Sequence, residues 1–124
     1  MLAFIAACSN STNDSSNADS SAANSTASDA NDISTNPDYQ KGLALIASSD
    51  CLTCHKVSEK LTGPAYDSVA NRYENTEANV KLLAEKIIKG GSGNWGTVPM
   101  TPHPAISEAD AEQMVKYILL LRNK

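Results

Sequence analysis

Five consecutive residues, Cys51-Leu52-Thr53-Cys54-His55, place two thiols and an imidazole on one short piece of chain. Nothing else in the 124 residues restricts the fold as strongly. The reason is what the sequence around it lacks. Residues 37–124 contain no Phe, one Trp and four Tyr, a thin stock of large apolar side chains. A domain this small buries a modest share of its surface and often recruits a metal, a disulfide or a cofactor to complete its core.

The spacing C-x-x-C-H is the attachment signature of c-type haem. Two thiols add to the two vinyl groups of one haem, and the adjacent His sets an imidazole on the iron. Other uses of these side chains compete. A structural zinc site needs a second ligand pair, yet the remaining His and Cys are His103 and Cys8 alone. A thioredoxin-like redox pair wants a βαβ setting, and no strand alternation is visible. A plain disulfide leaves His55 without a role. One covalent haem c on Cys51 and Cys54, with His55 as metal ligand, uses all three groups, and its flat apolar ring stands in for the missing Phe.

The iron then needs a sixth ligand or an open position. Met114 shares an apolar helix face with Ala111, Val115 and Ile118 and reads as core filler. Met100 lies in Val98-Pro99-Met100-Thr101-Pro102, a stiff loop where no helix demands an apolar residue. Its thioether suits haem iron, and His/Met ligation raises the reduction potential. His103, held between Pro102 and Pro104, is the runner-up. Its plain reading is a loop histidine turned toward solvent.

The formal charge of −4 sits wholly in residues 9–36, which hold Asp14, Asp19, Asp29 and Asp32 and no Lys or Arg. Residues 37–124 carry ten charges of each sign. There is no basic face to suggest nucleic acid. No apolar run approaches the roughly 18 residues of a membrane span. Nine Ser, six Asn, five Ala, four Asp, three Thr and one Ile make up residues 9–36. Such a segment cannot bury enough apolar area to offset its chain entropy, so a disordered tether is expected over 8–36. Before it, residues 1–7 resemble the tail of a bacterial lipoprotein signal, and Ile5-Ala6-Ala7-Cys8 fits a lipobox, which implies lipid attachment to Cys8. The first basic residue is Lys41, so the charged start of a signal is missing and the chain is expected to begin inside it.

The remainder reads as helices joined by long loops. Tyr39, Leu43, Ile46 and Ala47 predict a helix near 38–48. Val69, Ala70 and Tyr73 suggest a short one after the Gly63-Pro64 turn. Val80, Leu83, Ala84, Ile87 and Ile88 keep an i, i+3, i+4, i+7, i+8 pattern that Gly90-Gly91 ends. Residues 90–104 are a Gly- and Pro-rich loop. Ser107, with Asp110 three residues on, caps a final helix through Ala111, Met114, Val115, Ile118 and Leu121.

Over residues 38–122 the chain resembles the small bacterial class I cytochromes c of the c-551/c-552 type. The resemblance rests on Cys51-Leu52-Thr53-Cys54-His55, Gly63-Pro64-Ala65-Tyr66, Gly90-Gly91-Ser92-Gly93-Asn94-Trp95-Gly96, Val98-Pro99-Met100 and Tyr117-Ile118-Leu119. It implies an all-α cytochrome c fold over 37–124, with four to five short helices wrapped around one covalent haem. It implies that the Pro64 carbonyl holds the free ring nitrogen of His55. It implies that Trp95 aims its indole N–H at a haem propionate, that Lys86 faces a propionate, and that Gly42 meets Tyr117 where the first and last helices cross. His103 departs from the resemblance, since close relatives often carry Asn there.

The function expected is that of a monohaem electron carrier, not an enzyme, shuttling single electrons between membrane-associated respiratory redox proteins. Such partners are a terminal oxidase, a reductase or an upstream quinol-oxidising complex. The protein is expected to be a monomer, lipid-anchored on the periplasmic side of a bacterial membrane. Residues around Gly63, Pro64, Val98 and Pro99 are candidates for the docking rim. The alternative is a haem-based gas sensor or peroxidase-like domain with a displaceable Met ligand.

Overall fold

The computed structural model describes residues 32–122. The apolar start, Cys8 and most of the expected tether lie outside the described residues. The ordered chain begins earlier than residue 37: Asp32 caps a 3-10 turn at Ile33–Thr35, and Ile33, the single large apolar residue of the expected tether, packs against the core.

Four α-helices follow: α1 Pro37–Ala47, α2 Tyr66–Arg72, α3 Glu77–Lys89 and α4 Glu108–Leu120. Several boundaries have a local cause. Pro37 opens α1, where a missing N–H costs nothing, and the Asn36 side chain accepts from the Asp38 N–H at 2.8 Å. The Thr76 hydroxyl caps α3, and the Ser107 hydroxyl caps α4 by accepting from the Asp110 N–H at 3.1 Å. Gly90 ends α3 at φ +66°, a conformation that suits glycine. Among the described residues there are no strands, only an isolated antiparallel bridge between Gly91 and Met100. No helix of these residues is long and apolar enough to cross a membrane.

Helix α4 is the spine, and the other three pack on it. One cluster joins Ile46 of α1 and Tyr66, Val69 and Ala70 of α2 to Met114, Tyr117 and Ile118 of α4. A second joins Val80 and Ala84 of α3 to Ala111, Val115 and Leu119. Where α1 crosses α4, Gly42 lies against Tyr117 so closely that a Cβ there would strike the Tyr117 Cβ and the Gln113 carbonyl. The Tyr117 ring meets Tyr39 edge-on at 4.9 Å and Tyr66 at 6.4 Å. The Gln113 side-chain amide also donates to the carbonyl and carboxylate of Asp38, tying the two helices at their polar edge. This packing leaves the attachment motif and the 90–104 loop on one side of the helices, with a cleft among them.

Candidate functional site

The cleft encloses about 560 Å³. Its floor is apolar: Ile46, Val69, Leu83, Ile87, Met114 and Val115 all line it. Met114 therefore does two things, filling the core and facing the cleft. Cys51, Cys54, His55, Pro64, Lys86, Trp95, Met100 and His103 line the same space, so eight of the residues singled out in the sequence come together. Cys8 lies outside the described residues.

A short 3-10 turn, Cys51–Thr53, carries the first thiol, and the His55 N–H closes back on the Cys51 carbonyl at 3.0 Å. This tight winding brings two thiols and an imidazole to one cleft. Cys51 and Cys54 form no disulfide with each other. Burial, and after it the Asp50 carboxylate, push the Cys51 thiol above its ordinary range. Burial likewise lifts the Tyr66 phenol far up, so it stays protonated beside Cys51.

The His55 ring is fixed from three sides. Its Nδ1–H donates to the Pro64 carbonyl at 2.8 Å, and a carbonyl can only accept, which leaves Nε2 as the basic nitrogen. Tyr66 stacks on the ring with centroids 5.2 Å apart and planes inclined by 19°. Gly63 closes the third side: a Cβ there would collide with Cε1 and both nitrogens of the imidazole. The Gly63 N–H in turn donates to the Cys54 carbonyl at 2.8 Å.

Met100 is held by its backbone. Its N–H donates to the Gly91 carbonyl at 2.9 Å, and its carbonyl accepts from the Gly91 N–H at 3.0 Å. At Gly90 a Cβ would strike the Met100 carbonyl, so the end of α3 and the Met100 segment touch through backbone. The Lys86 ammonium lies near Gly91, 3.4 Å from where a Cβ would stand.

Trp95 is exposed, and its ring lies under Arg72, which no local pattern marks out. The Arg72 guanidinium sits 4.6 Å over the Trp95 ring and donates to the Asn94 carbonyl at 2.6 Å. His103 is a correction. Its side chain is 19 % exposed and does not turn to solvent; Nε2 reaches Asp50 at 2.9 Å, and Nδ1 is buried without a hydrogen-bond partner.

These residues suit a haem. The cleft is apolar, two unpaired thiols stand at the spacing two vinyl groups require, and an oriented imidazole and a thioether line the same volume. Four helices packed around such a cleft define a class I cytochrome c arrangement. The family model for cytochrome c matches residues 39–122, and the chain belongs to that family, whose members bind one covalent haem c.

The chain is 39% identical over 80 residues to cytochrome c-551 of Azotobacter vinelandii, covering 64% of this chain and 96% of that protein. It is 44% identical over 72 residues to cytochrome c-552 of Hydrogenobacter thermophilus, covering 58% and 72%. Among solved structures, the crystal structure of Nitrosomonas europaea cytochrome c552 superposes with a TM-score of 0.61 at 38% identity, covering 64% of this chain and 99% of that one.

Proposed function

We propose that the domain is a single-electron carrier in which His55 and Met100 are the axial ligands of a haem c bound through Cys51 and Cys54. One observation carries this reading. A single apolar cleft is lined by His55, with Nδ1 already engaged by Pro64, and by Met100, pinned on both backbone sides by Gly91. Bound there, haem supplies a one-electron couple between Fe(II) and Fe(III).

The chain's own residues set the conditions for that couple. Gly63, Pro64 and Tyr66 hold the imidazole, and the Gly91 bridge holds the Met100 segment, so little has to move on oxidation. Lys86 and Trp95 are proposed to sit beside the propionates. Leu52, Leu61, Val98 and Trp95 are exposed apolar side chains on the segments around the cleft. They would give, with Gly63, Pro64 and Pro99, a small docking rim of the kind transient redox encounters use. Proposed partners are respiratory redox proteins: a quinol-oxidising complex upstream, an oxidase or reductase downstream. The Ile5-Ala6-Ala7-Cys8 pattern supports a lipid anchor on Cys8 and a periplasmic location for the domain.

The test is a potentiometric titration followed by mixing with such membrane complexes. A one-electron curve, rapid reduction and reoxidation, and a reduced spectrum unchanged by carbon monoxide are expected. A carbon monoxide complex in the wild-type protein would overturn the carrier reading in favour of an open or displaceable ligand. Membrane retention of a Cys8→Ser precursor would overturn the anchor.

A further inference from the structure

The hydrogen bond between His103 and Asp50 spans 53 residues of sequence and joins two segments that both line the cleft. Asp50 is the residue immediately before Cys51, and its carboxylate makes no cap to the 3-10 turn it precedes. A carboxylate only accepts, so the bond is His103 Nε2–H donating to Asp50 Oδ1 at 2.9 Å.

The other end of this bond is rigid. His103 stands between Pro102 and Pro104, each with a fixed φ. Its N–H donates at 3.1 Å to the carbonyls of Ile87 and Ile88 at the end of α3, and its carbonyl accepts from Ile106 at 3.1 Å. Three residues earlier, Met100 is bridged to Gly91. A pull on the His103 ring is thus passed to the Met100 segment through a short, proline-stiffened backbone. Because Nδ1 is buried without a protein partner, the Asp50 bond is the ring's one side-chain hydrogen bond among the described residues. Losing it would remove the ring's one tie to the attachment segment.

We propose that His103 and Asp50 form a latch that holds the Met100 loop closed against the haem-attachment segment, making His103 a positioning residue for the sixth ligand. The proposal rests on the reading of Met100 as that ligand. The latch lowers the population of a state in which the loop has lifted and another ligand can enter.

The experiment uses the holoprotein with haem attached, checked by retention of colour on the denatured chain. Imidazole is titrated into the oxidised protein for wild type, Asp50→Ala, His103→Asn and the double variant, and amide exchange of residues 96–104 is followed by mass spectrometry. The worth of one hydrogen bond predicts about fivefold tighter imidazole binding and about fivefold faster loop exchange in each single variant. The double variant should match the singles, since both remove one shared bond. Asp50→Asn, which keeps an acceptor oxygen, should restore most of the closure. Unchanged binding and exchange in both singles, or full additivity in the double, would overturn the latch. If the wild type shows no sulfur-to-iron absorption band, the Met100 reading fails instead, and the exchange rates of the loop still decide the latch.

Discussion

The crossing of α1 on α4 and the loop that carries Met100 are held by different means. At the crossing, side chains interlock: Gly42 admits Tyr117, three tyrosine rings meet edge-on, and Ile46 and Met114 are almost wholly buried. In the loop, every residue from Gly91 to Pro99 is exposed, and order comes from backbone bonds, glycines with positive φ and three prolines at 99, 102 and 104. Dispersion and burial tolerate small shifts and act on stability. Directed bonds around a cleft fix the position of a few atoms, here the His55 ring and the Met100 backbone. The helices alone therefore do not complete this domain, because the apolar floor of the cleft needs a covering group.

Removing the covering group should have the largest effect. Replacing Cys51 and Cys54 together by Ala should yield a mostly unfolded apoprotein, with loss of most of the roughly 5–10 kcal/mol typical of small domains. Far-ultraviolet circular dichroism decides it, and a folded, colourless double variant would show that the helix packing suffices. Next in size is Met114, which belongs to both regions. Met114→Ala should cost about 2–5 kcal/mol through the cavity it leaves. Met114→Leu should cost less than about 1.5 kcal/mol and leave the ligand spectrum intact.

Two identical substitutions then separate the regions. Gly42→Ala and Gly63→Ala should each cost about 1–3 kcal/mol by overpacking. Only Gly63→Ala should alter the haem spectrum, because the new methyl pushes against the His55 ring. A spectral change in Gly42→Ala with none in Gly63→Ala would reverse the assignment. The smallest effect is expected for Arg72→Ala. Loss of its contact with Trp95 and the Asn94 carbonyl should speed amide exchange in residues 92–96 by several-fold, the scale of about 1 kcal/mol. The global unfolding midpoint should move little.

Much of this was legible in the sequence, and the limits follow from range. The apolar periods of α1, α3 and α4 and the caps at Ser107 and Gly90 are local signals, so those helices were readable. The short α2 was readable as a helix, yet its start at Tyr66 was not, since Ala65 makes no side-chain cap. Cys51, Cys54 and His55 are adjacent and announced themselves. The Gly91–Met100 bridge left no pattern, because one residue pair in a Gly-rich loop has no periodicity. Arg72 over Trp95 and Asp50 on His103 join residues 23 and 53 apart and depend on how helices pack. The expected tether over 33–35 was misjudged by composition: one Ile among polar residues reads as disordered until the core beside it offers a place to bury it.

His55 and Met100 are the residues proposed to hold the iron within this cleft. The most direct measurement is the near-infrared absorption of the oxidised wild-type protein beside Met100→Ala. A weak sulfur-to-iron band present in the wild type, absent in Met100→Ala and retained in Met114→Leu is the predicted result. A band that survives in Met100→Ala, or one that never appears in the wild type, would rule out Met100 as the ligand.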